Sequence, residues 1–215
     1  MYVPSHFVES RPEVLHVLMD QHPLATLIAV TAGGLEANHV PVIFEPHGGG
    51  VGTLKGHIAR ANTLWRDLKA GAEVLTVFQG ASRYISPNWY PSKLESGQVV
   101  PTWNYAVVHA RGRITWMHDA QWLRGFLESL TDRHERGSVN PWRMDDAPAN
   151  YIDKMLGAIV GFEIALDKLT GKWKLSQNRS AQDRAGVVAA LTAFPDDESR
   201  RMAGLVENPG RGTGN

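Results

Sequence analysis

Two hydrophobic spacings alternate along the chain. LATLIAV (24–30) is a near-continuous apolar run of strand length, followed by Gly33-Gly34, a hairpin signal, and the return strand LEANHVPVIFE (35–45). A second turn at Pro46 to Gly50 leads into VGTLKGHI (51–58), where Leu54 and Ile58 share one face and Thr53, Lys55 and His57 the other. EVLTVFQG with SRYIS predicts a strand or strand pair. AVVHARGRITWM (106–117) alternates over its length and predicts a long strand, and AIVGFEIALDKLTGKWKLSQN (158–178) predicts a hairpin or one bent strand.

Helical spacing interrupts these strands. Ser10-Arg11-Pro12-Glu13 has the spacing of a capping box and predicts a short helix burying Val14, Leu15, Leu18 and Met19. Asn62 is placed to cap TLWRDLKA, and Asp119 to cap AQWLRGFLESLTDRHE, where Trp122, Phe126 and Leu130 recur every four residues. A short helix closes NPWRMDDAPANYIDKML; RSAQDRAGVVAALTAF and DDESRRMAGLVE predict two more, with Ser180 or Asn178 as the cap of the first. PNWYPSKLESGQVVPTWNY reads as a connection ordered by its rings. Six or more strands on short turns, with helices between them, predict an α+β chain dominated by antiparallel sheet. That pattern fits a small barrel with peripheral helices, one domain over residues 1–207 and a disordered tail over 208–215.

Composition narrows the chemistry. The 215 residues contain no Cys, which excludes disulfides, thiolate nucleophiles and Cys-ligated metals. Lys plus Arg equals Asp plus Glu at 22 each, so no global field draws the chain to nucleic acid or anionic lipid. No apolar run approaches the roughly 18 residues of a membrane span and no leader pattern opens the chain, so a cytoplasmic protein is the expectation. The nine His residues form neither HxH nor HExxH, and no catalytic metal site or catalytic residue is assigned. A phosphate-cradling GxxxxGK[ST] loop is absent.

Against that neutral background, LKGHIARANTLW gathers Lys55, His57, Arg60 and Asn62 at one strand-to-helix turn. The residues admit two readings: a solvated turn, or an anion held by side chains and a helix start. SPNWYPSK and VPTWNY bring Trp and Tyr faces together with the amides of Asn88 and Asn104, a pairing suited to a flat ring with a polar edge or to a loop packed over a core. KLSQNRSAQDR ends a strand with Ser176, Gln177 and Asn178 before Arg179 and Arg184. The final helices balance Arg179, Arg184, Arg200 and Arg201 against Asp183, Asp196, Asp197 and Glu198, which is weak support for DNA binding.

MYVPSHF, LKGHIARAN, ISPNWY, VPTWNY followed by VHARG, and KLSQNRSAQDRAGV stand in an order and at separations that resemble the PaiB-like FMN-binding negative transcriptional regulators. The resemblance runs from Met1 to about Leu205. It implies a split β-barrel like that of pyridoxamine-phosphate oxidases, a homodimer with FMN near the subunit interface, and a bacterial repressor role that brings DNA in as a partner. It further implies phosphate contacts at Lys55, His57, Arg60 and Asn62. Flavin-ring and ribityl contacts are implied at Asn38, His39, Trp103 and Asn104, with Gln177 and Arg179 reaching in from near the dimer seam. An FMN-dependent oxidoreductase acting on a small substrate is the alternative, and a haem-handling barrel with an axial His a third.

Overall fold

A computed structural model describes residues 1–47 and 50–209. The expected tail over 208–215 therefore lies almost wholly outside the described residues, as does the middle of the expected Pro46 to Gly50 turn. Strands β1 (Val8–Glu9), β2 (Leu24–Thr31), β3 (Gly34–Glu45), β4 (Thr53–Ala59), β5 (Glu73–Ile85), β6 (Thr102–Met117) and β7 (Ile159–Lys174) form a seven-stranded sheet in the order β1-β7-β4-β3-β2-β5-β6. A further pairing of β6 with β7 closes six of them into a ring. The β1–β7, β2–β3, β2–β5, β3–β4 and β4–β7 pairings are all antiparallel. The strands are mainly antiparallel and close on themselves, as the short turns predict, and the barrel is of the split kind that the resemblance implies.

Helices α1 (Pro12–Gln21), α2 (Leu64–Asp67), α3 (Lys93–Ser96), α4 (Ala120–Glu135), α5 (Ala149–Gly157), α6 (Ala181–Thr192) and α7 (Asp197–Glu207) are inserted between and after the strands. Asp119 accepts the Trp122 N–H and Ser180 the Asp183 N–H, so both expected caps form. Two local expectations fail. The α1 cap position is Arg11, because the Glu9 carboxylate takes the Arg11 N–H and guanidinium and the Ser10 capping box never closes. The segment after Asn62 makes one helical turn only: Leu68 already has extended backbone, and its carbonyl is taken by the Trp116 indole.

The chain divides into two compact units. The first comprises residues 1–22, 78–109 and 169–215, the second 23–77 and 110–168. Within the first, α1 buries Val14, Leu15, Leu18 and Met19 as expected, and Trp173 and Tyr90 are among the largest fully buried side chains. There, two residues past the end of β7, Ser176 has a φ of 64°, in the left-handed region. The Asn104 amide donates to its hydroxyl, while Gln177 accepts the Leu175 N–H and donates to the Trp173 carbonyl.

In the second unit, β4 alternates as its sequence requires: Leu54, Gly56 and Ile58 are buried, Lys55 and His57 half-buried on the opposite face. That opposite face is covered by α4. Gly161 makes this possible, since a Cβ there would stand 2.3 Å from the Trp122 ring. Leu123, with Met144, Ile152 and Leu156, forms a small separate core beneath α4 and α5.

Backbone approaches backbone closely at Gly112 of β6, where an added Cβ would meet the Ala165 carbonyl oxygen at 2.3 Å and Ile164 Cγ2 at 2.8 Å. The carbonyl is backbone and cannot rotate away. Gly112→Ala is therefore expected to cost about 1–3 kcal/mol through overpacking. Equilibrium denaturation checks this, and a variant as stable as the parent refutes the close approach.

Candidate functional site

The expected cationic turn forms, but its charges are spent within the second unit. Arg60 follows β4, and its guanidinium donates through Nε to the Gly157 carbonyl at 2.7 Å and through Nη2 to the Ile159 carbonyl at 2.8 Å. Its backbone N–H donates to Ala158. Gly157 is the last residue of α5, so Arg60 sits against the partially negative end of a helix. Its carbonyl in turn receives the Trp65 indole N–H. Arg60 is first of all a clasp between β4, α5 and β7.

Lys55 stands opposite Glu163 in the β4–β7 register and pairs with Glu45 at 2.7 Å and Glu163 at 3.8 Å. Glu163 also accepts the Trp122 indole N–H at 3.0 Å. A phosphate approaching this ammonium meets two carboxylates first. His57, one pleat further, lies edge-on to Phe126 of α4 with ring centroids 5.8 Å apart, and its buried Nδ1 has no hydrogen-bond partner. Burial lowers its pKa below the ordinary 6.5.

Asn62 and Asn38 do meet. The Asn62 amide donates to Asn38 Oδ1 at 2.7 Å, while Asn62 Oδ1 accepts the Leu64 N–H at 2.9 Å. Both residues are half-buried. This fixes the Asn38 amide so that its own N–H donors face outward from the pair. Asn38 lies opposite Leu27, whose other neighbour is Thr76, a fully buried residue with an unpartnered hydroxyl. His39, next along β3, is exposed on the other face of the hairpin.

That face is apolar. Leu24 (65% exposed), Val30 (69%) and Leu35 (78%) stand on it, with Val30 directly opposite Leu35 and Ile28 opposite Ala37 and Leu75. Half-buried Val77 extends it onto β5 opposite Thr26, and Thr26 pairs with His39. Large aliphatic side chains this exposed and this contiguous mark a surface that something covers. Sequence spacing did not single them out, because LATLIAV as a buried run and as a strand with one uncovered face look alike.

The other four expected residues belong to the first unit. Asn104 is buried and committed to Ser176, and Gln177 to its own strand end. Trp103 is exposed, edge-to-face with Tyr84, and Arg179 lies 4.8 Å over the Tyr90 ring. Ten expected contacts thus resolve into an amide pair, a neutralised lysine, one covered and one exposed histidine, a structural arginine, two amides spent past the end of β7, an exposed tryptophan and a half-buried arginine over a ring. The amide pair carries the hydrogen-bonding type that the polar edge of a flavin requires, so the donor set fits one.

Comparison with known proteins places the chain. A family model described as "Putative FMN-binding domain" matches residues 1–168. "Protease synthase and sporulation protein PAI 2" of Bacillus subtilis is 30% identical over 208 residues, covering 97% of both chains. An uncharacterised protein of Emericella nidulans, AN0679, is 29% identical over 98% of both, so relatives extend to fungi. Among solved structures, the flavocytochrome Anf3 of Azotobacter vinelandii superposes with a TM-score of 0.58 at 15% identity, over 93% of this chain and 78% of that one.

Because His57 is held neutral by burial, the unfolded chain binds its proton first as pH falls below 6.5. Stability is thus full above that value and declines beneath it, with His16, His22 and His109, also lowered mainly by burial, adding to the slope. His57→Gln is expected to flatten the decline of stability between about pH 6.5 and 5 by up to one proton's worth, read from denaturation midpoints across pH. An unchanged slope means that His57 is solvated.

Proposed function

From the premise that the chain belongs to the FMN-binding domain family, we propose that it works as a homodimeric flavin-binding regulator, related in role to the PaiB-like repressors. FMN is its cofactor. When bound, the flavin supplies reversible electron transfer, and the protein supplies binding, orientation and exclusion of water. The Asn38–Asn62 pair carries the proposal for the site: each amide fixes the other, and the uncommitted N–H groups of Asn38 are left to meet the edge of a planar ring. The Nη1 group of Arg60, which has no partner among the described residues, is the cation nearest in sequence to that pair and the candidate for the phosphate. Lys55 contributes by fixing the turn through Glu45 and Glu163, and His57 by packing under Phe126.

The apolar β2–β3–β5 face supports the dimer. Covering Leu24, Ile28, Val30, Leu35, Leu75 and Val77 with a second copy removes aliphatic surface from water, worth roughly 25 cal/mol per Å². A two-fold axis would place the same patch on both sides.

Regulation of transcription is what the resemblance to the PaiB-like regulators implies, and the likeness to PAI 2, 30% identical over 97% of both chains, supports that resemblance along the whole length. The oxidoreductase alternative is favoured by one observation: α6 and α7 set Arg184, Arg200 and Arg201 against Asp183, Asp197, Glu198 and Glu207, with Arg200 paired to Asp197, so these helices carry no surplus of the cations that phosphate binding needs. Bound flavin that NAD(P)H reduces and an added acceptor reoxidises supports the enzyme. A promoter complex that survives physiological salt supports the regulator.

Two measurements test the site and the assembly. Asn38→Ala combined with Asn62→Ala should weaken FMN affinity by about one to two orders of magnitude, at about 0.5–1.5 kcal/mol per hydrogen bond, measured by quenching of flavin fluorescence; unaltered affinity moves the flavin elsewhere. Val30→Asp with Leu35→Asp puts like charges opposite each other on the uncovered face, and sedimentation should then report monomer. A variant that stays dimeric removes this face as the interface.

A further inference from the structure

Three half-buried cations of the first unit, Lys172, Lys174 and Arg179, have no ion-pair partner among the described residues. Lys172 and Lys174 alternate onto the same face of β7, about 6.6 Å apart along the strand. Lys172 Nζ lies 5.3 Å from the centre of the Tyr105 ring and 6.0 Å from that of Tyr2, and donates to the Tyr2 carbonyl at 3.2 Å. Lys174 Nζ donates to the Thr102 hydroxyl. Arg179 stacks on Tyr90. Burial, with the charges of Lys172 and Arg179 adding to it, holds the Lys174 ammonium below its ordinary pKa, and only Tyr105 opposes this. Among the described residues no carboxylate pairs with any of the three: Glu9 is taken by Arg11, Asp196 by Arg83, and Asp183 by Ser92.

Beside these charges lies an aromatic shelf. Trp103 and Tyr105 alternate onto the same face of β6, Trp103 is 55% exposed and Tyr84, 46% exposed, stands edge-on to it at 6.3 Å. Three half-buried cations without a counter-charge repel one another, and the fold bears that cost with cation–π contacts and hydroxyl acceptors in place of carboxylates. Such an arrangement is relieved when an anion arrives. The rings select an anion that carries a flat apolar body.

We propose that this face binds a small aromatic phosphomonoester, distinct from the flavin, with its phosphate among Lys172, Lys174 and Arg179 and its ring against Trp103 and Tyr105. The site gives the protein a second ligand, a substrate or an effector. Trp103 and Arg179, which the family resemblance puts at the flavin, belong on this view to that second molecule. The ligand's charge and its ring are read by different groups, so each can be removed separately.

Phenyl phosphate is the probe, titrated by calorimetry into full-length protein saturated with FMN. Binding is expected, with phenol and inorganic phosphate each at least tenfold weaker. Lys172→Gln with Lys174→Gln should lower phenyl phosphate affinity at least tenfold while flavin affinity and melting temperature hold. Trp103→Ala should weaken the aromatic phosphate and leave inorganic phosphate unchanged. If phenyl phosphate binds only the flavin-free protein, or if the double lysine variant loses FMN in parallel, the cluster serves the flavin and the proposal fails. No binding to the saturated protein also overturns it. A variant that melts early is replaced by Arg179→Gln read in the same titration. The Asn38 and Asn62 substitutions report separately on the flavin assignment, so the two can fail independently.

Discussion

The contact between Trp122 and Gly161 organises the second unit. A side chain at position 161 would occupy the volume of the indole, so only glycine lets α4 come down onto the sheet. Once the ring is seated, its N–H reaches Glu163 on the same strand. Glu163 then lies across from Lys55 in the β4–β7 ladder. Trp122 also stacks on Phe126 at 5.4 Å, which brings Phe126 over His57. One absent Cβ thus decides which face of β4 is sheltered and what chemistry its polar residues are left with.

This explains why the site was only partly legible in the sequence. The strands and the long helix follow from local spacing, and α4 begins where Asp119 caps it. The alternation of Lys55 and His57 on one face is likewise a local property of an extended chain. What local spacing cannot show is the partner. Glu45 and Glu163 lie 10 and 108 positions from Lys55 and meet it only through the sheet register. Arg60 looked like an anion grip for a sound electrostatic reason, but the negative charge it meets first is the carbonyl end of α5, almost a hundred residues on. The Asn38–Asn62 bond, by contrast, joins two residues that the family resemblance had already marked, and what the structure adds is that they hold each other.

The two units treat polar groups differently. In the second, Lys55 and Arg124 are matched by carboxylates, Arg60 and Arg113 by carbonyls, and the Asn38 and Asn62 amides hold each other. In the first, Lys172, Lys174 and Arg179 are matched by rings and hydroxyls. Neutral amides favour a ligand edge with both donors and acceptors, whereas uncompensated cations favour a dianion. A balanced total charge of 22 against 22 conceals this difference, because the sum over the chain says nothing about where pairs form.

The left-handed turn at Ser176 has a bearing on how this family can drift. An L-residue in that conformation costs about 1–2 kcal/mol, so the turn survives because the Asn104 amide and both ends of Gln177 lock it in place. Those bonds span fixed intervals, two and four residues for Gln177. Adding or deleting a single residue between Trp173 and Ser180 would break several at once and turn the start of α6 to a new azimuth. Homologues should therefore accommodate length variation in other connections while keeping the spacing here invariant.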